Sequence, residues 1–201
     1  MIPHVLLEAR RDFANADPGQ MARSSGSEYL SERQVVRLDY LNSAYEVSFP
    51  DGKITGPRTG QLNQDEETIL LKYLSQVNGI APAGRWVAFA ELPNGMFHDA
   101  PFKIEAIRPL GELFDRQPER LAQAARQLGG ESIGLAGDLS VAIPVFPRLL
   151  VAVLLWVGDE EFPARANMLF DAAAISHLST ASLYVLGINL SRHLCQEAGQ
   201  E

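Results

Sequence analysis

The chain has 201 residues, of which 46% are hydrophobic, enough for one domain with a sizeable buried core or at most two small ones. It carries 17 Lys and Arg against 25 Asp and Glu, which gives a net charge of −8. An acidic chain without a basic run lacks the clustered cations that nucleic acid or an anionic membrane surface would attract, so we expect neither partner.

The single cysteine, Cys195, cannot form an internal disulfide or hold an iron–sulfur cluster. The first residues, MIPHVLLEARRDF, lack the basic segment, apolar region and cleavage site of a secretory signal. No stretch is long enough to cross a membrane as an apolar helix. We therefore expect a cytoplasmic protein.

The amino-terminal region divides into a short helix and a polar segment. Residues Ile2 to Ala14 have helical spacing of apolar residues, whereas Asn15 to Ser27 is polar and contains Gly and Ser. We predict an amino-terminal helix and a mobile connection over residues 1–30, followed by a single α+β domain over residues 31–201.

A strand meander and a helix come next. Gln34 to Leu38 and Ala44 to Phe49 have strand composition, and Lys53 to Thr55 completes a predicted meander, with a turn between the first two strands. The segment from Asn63 to Asn78 is predicted to be helical, because Asn63 and Glu66 have the spacing of a capping box and an apolar stripe follows.

The middle of the chain is predicted to contain two strands and a helix, at Trp86 to Phe89, Pro101 to Ile107 and Pro118 to Leu128. Aromatic residues cluster around the intervening turn at Pro93. We expect them in the core, and the alternative is that they form a hydrophobic pocket between that turn and Trp156.

The most apolar stretch lies between residues 139 and 157. Ser140 to Phe146 and Leu149 to Val157 are predicted to form an antiparallel hairpin, with Pro144 at an edge or a bulge. The second strand lacks polar alternation, so we expect it at the centre of the sheet, with both faces covered and Trp156 largely buried. The predicted fold is α+β: a mostly antiparallel sheet with this central hairpin, covered by helices.

Two helices are predicted after the hairpin. Pro163 is well placed to begin a short helix that reaches about Phe170. Ser179 or Thr180 would cap a final helix, in which four leucines fall on one face: Leu183, Leu186, Leu190 and Leu194. Arg192 and His193 would lie in its last turn, and Gly187 would mark a close approach to another element.

The candidate site follows the central strand. Asp159, Glu160 and Glu161, with Asp171 and His177 near in sequence, offer oxygen and nitrogen ligands for a divalent cation or groups for acid/base work. The alternative is that the acids cap the amino terminus of the following helix.

The spacing of these residues matches no known metal motif, so we expect no metal ion and no other cofactor. If a metal does bind, its ligands would come from Asp159, Glu160, Glu161 and His177.

Three further candidates complete the predicted ligand-binding set. Asp171 either caps the turn that follows it or pairs with Arg148 or Arg165, while Trp156 and Arg148 flank the ends of the central strand. No catalytic residue is identified, since the chain contains neither a G-x-S-x-G motif nor a cysteine with an evident partner.

The segment W-x-G-D-E-E-F-P-A from Trp156 to Ala164, followed by N-x-L-F-D from Asn167 to Asp171, resembles an uncharacterised family of anaerobic bacteria and archaea. Some relatives carry a cysteine-rich, iron–sulfur-type module, which this chain lacks. The resemblance implies a setting in anaerobic redox or one-carbon metabolism, and it implies no catalytic residue.

Two functions remain open. The favoured one is a binding or accessory module in anaerobic metabolism, in which a pocket beside the acidic loop holds a small molecule or docks a protein partner. The alternative is a small metal-dependent enzyme that uses the acidic loop with His177.

Overall fold

The computed structural model describes residues 4–57, 60, 62–115 and 117–199 of the chain, and it combines helices with two antiparallel sheets. The predicted α+β class is therefore confirmed. Of the described helices, none combines the length and apolar character that a membrane span requires.

The strands are β1 (Glu28–Leu30), β2 (Val35–Tyr40), β3 (Ser43–Ser48), β4 (Ile54–Thr55), β5 (Trp86–Ala88), β6 (Glu131–Ser132), β7 (Leu139–Phe146), β8 (Leu149–Trp156) and β9 (Arg165–Asp171). The α-helices are α1 (His4–Asn15), α2 (Pro18–Ser25), α3 (Gln64–Gln76), α4 (Asp99–Phe102), α5 (Arg108–Phe114), α6 (Pro118–Gln127) and α7 (Thr180–Ala198). A π-helical stretch, Lys103–Ile107, joins α4 to α5, and short 3₁₀ turns cover Phe89–Glu91, Gly95–His98 and Ala174–Ser176.

The smaller sheet has the order β1-β2-β3-β4, which confirms the predicted meander and adds β1 to it. Leu41 and Asn42 connect β2 to β3 with φ of 47° and 60°. Two successive left-handed residues are typical of the tight turn that matches the twist of a hairpin.

The larger sheet has the order β5-β9-β8-β7-β6, with β8 at its centre between β7 and β9. The predicted hairpin and its interior second strand are confirmed, and the register shifts between Pro144 and Phe146, as a bulge at Pro144 requires. Trp156 is half-buried rather than largely buried, because it lies at the last position of β8.

The segment from Asn15 to Ser27, predicted as a mobile connection, contains helix α2. Asp17 accepts a hydrogen bond from the Gln20 amide at 2.6 Å, and Pro18 occupies the first helical position. Both are helix-start signals that the Gly and Ser content outweighed in the sequence interpretation. The division of the chain near residue 30 stays a prediction.

The predicted strand from Pro101 to Ile107 was also wrong, since this segment is helical. Apolar residues recur every four positions across it, and each is buried: Phe102, Ala106, Leu110 and Phe114. That spacing belongs to a helix face, and it extends beyond the window from which the strand was predicted.

The predicted short helix from Pro163 to Phe170 is instead strand β9. Met168 and Phe170 are fully buried while Asn167 and Leu169 are partly exposed, the alternation that a strand with one covered face requires. Pairing with both β8 and β5 outweighs the helix-start signal of Pro163.

Helix α7 is confirmed, with Ser179 as its cap and its four stripe leucines buried. A side chain at Gly187 would lie 2.6 Å from the ring of Phe102, which confirms the predicted close approach. The helix continues to Ala198, so His193 does not lie in its last turn as predicted; it is buried and faces Glu66.

A buried polar cluster joins α3, α7 and β2. Glu66, which is 1% exposed, lies 2.5 Å from His193 Nε2 and accepts a hydrogen bond from the Tyr40 hydroxyl at 3.1 Å. Its second oxygen accepts the Asn63 backbone N–H at 3.0 Å, which completes the predicted capping box. Burial raises the pKa of Glu66, but the bonds from His193, Asn63 and Tyr40 outweigh it, and the pKa is lowered.

We expect Glu66→Gln to lower the free energy of unfolding at neutral pH by about 3 kcal/mol, because an amide cannot reproduce all the hydrogen bonds that the buried carboxylate makes. A lowered folded-state pKa means that this stabilisation is present above the unfolded-state value of about 4.3 and is lost as the pH falls through the folded value. Urea denaturation from about pH 7 to about pH 3 should show a steeper loss for the wild type than for the variant. Parallel pH profiles would contradict the assignment.

Candidate functional site

An apolar cavity of about 640 Å³ opens between the Pro93 turn and the amino-terminal half of α7. Its walls include aromatic and aliphatic side chains from three parts of the chain: Phe89, Pro93, Ile175, Ala181, Tyr184 and Val185. The cavity thus lies where the segment after β5, the turn before α7 and α7 itself meet.

Local contacts fix the shape of this cavity. The Thr180 hydroxyl donates a hydrogen bond to the Pro93 carbonyl at 2.8 Å and ties the turn to the start of α7. The Phe89 ring stacks on Phe102 at 4.2 Å and meets Tyr184 edge-on at 5.7 Å. Gly95 allows the turn to close, because a side chain there would lie 1.9 Å from the Phe89 carbonyl oxygen.

The cavity lining also includes polar groups, and exposed apolar residues lie next to some of them in sequence. Met96 and Phe97 are 75% and 81% exposed beside the lining residues Asn94 and His98. Burial raises the pKa of the Tyr184 hydroxyl, and the neighbouring Glu105 carboxylate raises it further. The cavity therefore combines hydrogen-bonding side chains with mostly apolar walls.

Trp156 lies in a different place from the pocket that the sequence suggested for it. It lines a groove of about 770 Å³ with residues of α5 and the start of β9, among them Arg108, Gly111 and Arg165. The Arg165 guanidinium lies 6.0 Å from the centre of the Trp156 ring, within the range of a cation–π contact.

The acidic loop is held by its own backbone. Asp159 accepts hydrogen bonds from the amides of Glu161 and Phe162 at 2.8 and 2.7 Å, and these bonds lower its pKa. Glu160 and Glu161 are exposed. The sequence alternative that these acids cap a following helix was wrong, because no helix follows the loop. Asp159 instead caps a turn that leads into β9.

The acidic loop and His177 lie at opposite ends of the larger sheet. Strands β8 and β9 are antiparallel, with Trp156 paired to Arg165 at the acidic-loop end and Val151 paired to Phe170 at the other end. The structure therefore does not bring Asp159, Glu160 and Glu161 together with His177. Among the residues that the structure describes, no group of three or more His, Cys, Asp or Glu side chains is placed to hold a metal ion.

Asp171 caps two stretches of backbone. It is 1% exposed, and it accepts hydrogen bonds from the amides of Ala173, Ala83 and Gly84, each at 2.8 Å. The first bond is the turn cap that the sequence offered as one alternative. The other two anchor residues 83 and 84, which no local pattern links to Asp171.

His177 lies near Asp171 and Arg148 at this end of the sheet. The residue is 1% exposed, and neither ring nitrogen makes a hydrogen bond of normal geometry among the described residues, although the Ile80 backbone lies near enough to favour the charged form. Burial lowers its pKa, and the positive charge of Arg148 lowers it further. The structure thus brings together Asp171, His177 and Arg148 from the predicted set.

A comparison with protein families matches residues 17–193 to the family described as Domain of unknown function (DUF3786). The chain belongs to this family. Membership confirms the expected uncharacterised family, and searches of curated proteins and of solved structures found no match.

The DUF3786 region includes the apolar cavity, the acidic loop and the cluster around His177. The cavity residues of α7, Ala181, Tyr184 and Val185, were absent from the predicted site. The sequence feature that could have indicated them is the width of the apolar surface of α7, which extends beyond the four stripe leucines.

We expect Asp171→Asn to destabilise this DUF3786 domain by about 2 kcal/mol, because an amide cannot accept all three N–H groups with a full charge. Hydrogen exchange should accelerate most at Ala83 and Gly84, whose amides donate to the two different oxygens of Asp171, because one of these oxygens becomes an NH₂ group that cannot accept. Asp159→Asn, in a fully exposed turn, is the matched control and should leave exchange at residues 83 and 84 unchanged. Equal exchange in both variants would contradict the anchoring role.

Proposed function

We propose that this DUF3786 domain is a binding module whose cavity beside α7 holds a small, largely apolar ligand. The observation that carries the proposal is the cavity itself, about 640 Å³ in volume and lined by Phe89, Ile175, Tyr184 and Val185. Ligand sites in proteins span roughly 300 to 1,000 Å³ and have mostly apolar walls with a few oriented polar groups.

The exposed apolar residues next to the lining support the same function. Met96 and Phe97 lie between the lining residues Asn94 and His98 in sequence and expose most of their side chains to water, so a ligand that extends over them gains free energy from the apolar surface it removes. Methionine is flexible enough to follow ligands of different shape. Asn94 and His98 would orient the polar end of such a ligand.

Binding fits this cavity better than catalysis does. His98 and Tyr184 are the ionisable side chains among the lining residues, and the Tyr184 hydroxyl is bonded to the Glu105 carboxylate. Burial and this carboxylate raise the pKa of Tyr184, so the hydroxyl is a poor general base at neutral pH. The metal-dependent alternative needs the acidic loop beside His177, and these lie at opposite ends of the sheet. A role in anaerobic metabolism and a cytoplasmic location stay predictions from the resemblance and the composition.

Titration with the neutral fluorescent probe 1-aminoanthracene tests the proposal. We expect saturable binding to the wild type and affinity at least about tenfold weaker for Ala181→Trp, because the new ring fills the cavity. Gln196→Trp places the same side chain on an exposed position of α7 outside the lining, and it should bind like the wild type. Equal affinity in both variants, each shown to be folded by circular dichroism, would reject the cavity as the site.

A further inference from the structure

We propose that the DUF3786 domain has a second site, which binds a small oxyanion between His177 and Arg148 beneath residues 78–85. This site is separate from the apolar cavity, and its ligand is of a different chemical class.

The first observation is the unsatisfied imidazole of His177. The residue is 1% exposed, and neither ring nitrogen makes a hydrogen bond of normal geometry among the described residues, although the Ile80 backbone lies near enough to favour the charged form. Burial of a polar group without a hydrogen bond is unfavourable, and buried polar groups in native proteins are nearly always bonded. A partner from outside the chain would satisfy this side chain.

The second observation is the unused edge of Arg148. Its Nε atom is buried and has no partner in the described chain, while Nη2 donates to the Arg23 carbonyl at 3.4 Å at the end of α2. The guanidinium is thus held at Nη2, and its Nε–H is an unused donor. Arg148 also lies close enough for its charge to disfavour protonation of His177.

Tyr73 holds the two residues in one polar layer. Its hydroxyl accepts the Arg148 backbone N–H at 3.2 Å and donates to the Ser25 carbonyl at 2.9 Å. Its ring meets the His177 ring edge-on with centroids 6.3 Å apart. The Arg148 backbone and the His177 ring therefore both contact Tyr73, whose hydroxyl donates one hydrogen bond and accepts another.

These groups select an anion rather than a cation. Arg148 repels a metal ion, and its N–H donor together with an imidazole N–H suits the oxygens of a carboxylate or phosphate group. Asp171 is the acidic group near His177, and its oxygens already accept three backbone N–H bonds. The oxyanion would therefore bond to the two unsatisfied side chains.

Residues 78–85 provide a route to the site. Most of them are exposed, including Ile80 at 48%, and the backbone of Ile80 lies near His177. The segment is held by the Asp171 bonds to Ala83 and Gly84 and by the Ala172 amide, which donates to the Arg85 carbonyl at 2.8 Å. Few contacts must break for it to open, so a ligand can enter without unfolding the core.

Binding should depend on pH. Burial and Arg148 favour neutral His177, whereas Asp171, the Ile80 backbone and a bound anion favour the charged form. The anion therefore raises the affinity of His177 for a proton, and by linkage its own affinity rises as the pH falls.

Titrations with sodium formate and with inorganic phosphate, each against sodium chloride of equal ionic strength, test the site. We expect one or both oxyanions to shift the ¹⁵N resonances of the His177 ring saturably and to raise the melting temperature, with tighter binding at about pH 6 than at about pH 8. Binding of formate alone indicates a carboxylate site, and binding of phosphate indicates that the segment 78–85 opens for a larger anion.

Arg148→Gln should abolish the response, whereas Arg33→Gln, which removes an exposed arginine paired with Glu46, should leave it intact. If Arg148→Gln does not fold, the titration of the wild type, followed by the His177 ring resonances, still decides the proposal. No shift at His177 with either oxyanion, or an unchanged response in folded Arg148→Gln, would overturn the proposal.

Discussion

The structure depends on the buried carboxylate of Glu66. A buried charge is unfavourable unless its hydrogen bonds are complete, and this one has partners from α7, β2 and the start of α3. The three elements must therefore meet at one point. This contact fixes the carboxyl-terminal half of α7 against α3 and the smaller sheet, and the position of the other half of α7 follows from it.

That position creates the apolar cavity. Gly187 lets Phe102 approach α7 to a distance that no side chain would permit, and Phe102 in turn stacks on Phe89. Phe89 and Tyr184 then form part of the wall, while Thr180 fastens the Pro93 turn across the opening. Rigid packing around a preformed cavity is a suitable arrangement for ligand binding, because little order has to be gained when the ligand enters.

The two ends of the larger sheet differ in how their polar groups are satisfied. At the acidic-loop end, Asp159 is bonded within its own turn, and Glu160 and Glu161 are solvated. At the other end, Asp171 is bonded to three backbone amides, whereas the His177 ring and the Nε of Arg148 make no hydrogen bond of normal geometry in the described chain. A cluster of acids is thus explained by local structure, and an isolated histidine is not.

Local sequence signals determined much of this fold. The capping box at Asn63 and Glu66, the hairpin about Pro147 and the leucine stripe of α7 each involve residues within a few positions of one another, so their patterns were readable. The segments around Pro101 and Pro163 were misassigned. The first was assigned from a window too short to show its helical face, and the second from a proline start signal without the strand pairing that overrides it.

Only the tertiary structure decided the candidate sites. The Ala83 and Gly84 amides lie 88 and 87 positions from Asp171, and the Glu66 carboxylate lies 127 positions from His193. The cavity likewise joins the Pro93 turn to α7, and Arg148 reaches His177 only because β8 and β9 run antiparallel. Composition and periodicity report which faces are apolar, but which distant side chains share a site depends on how those faces pack, and that is set by the whole chain at once.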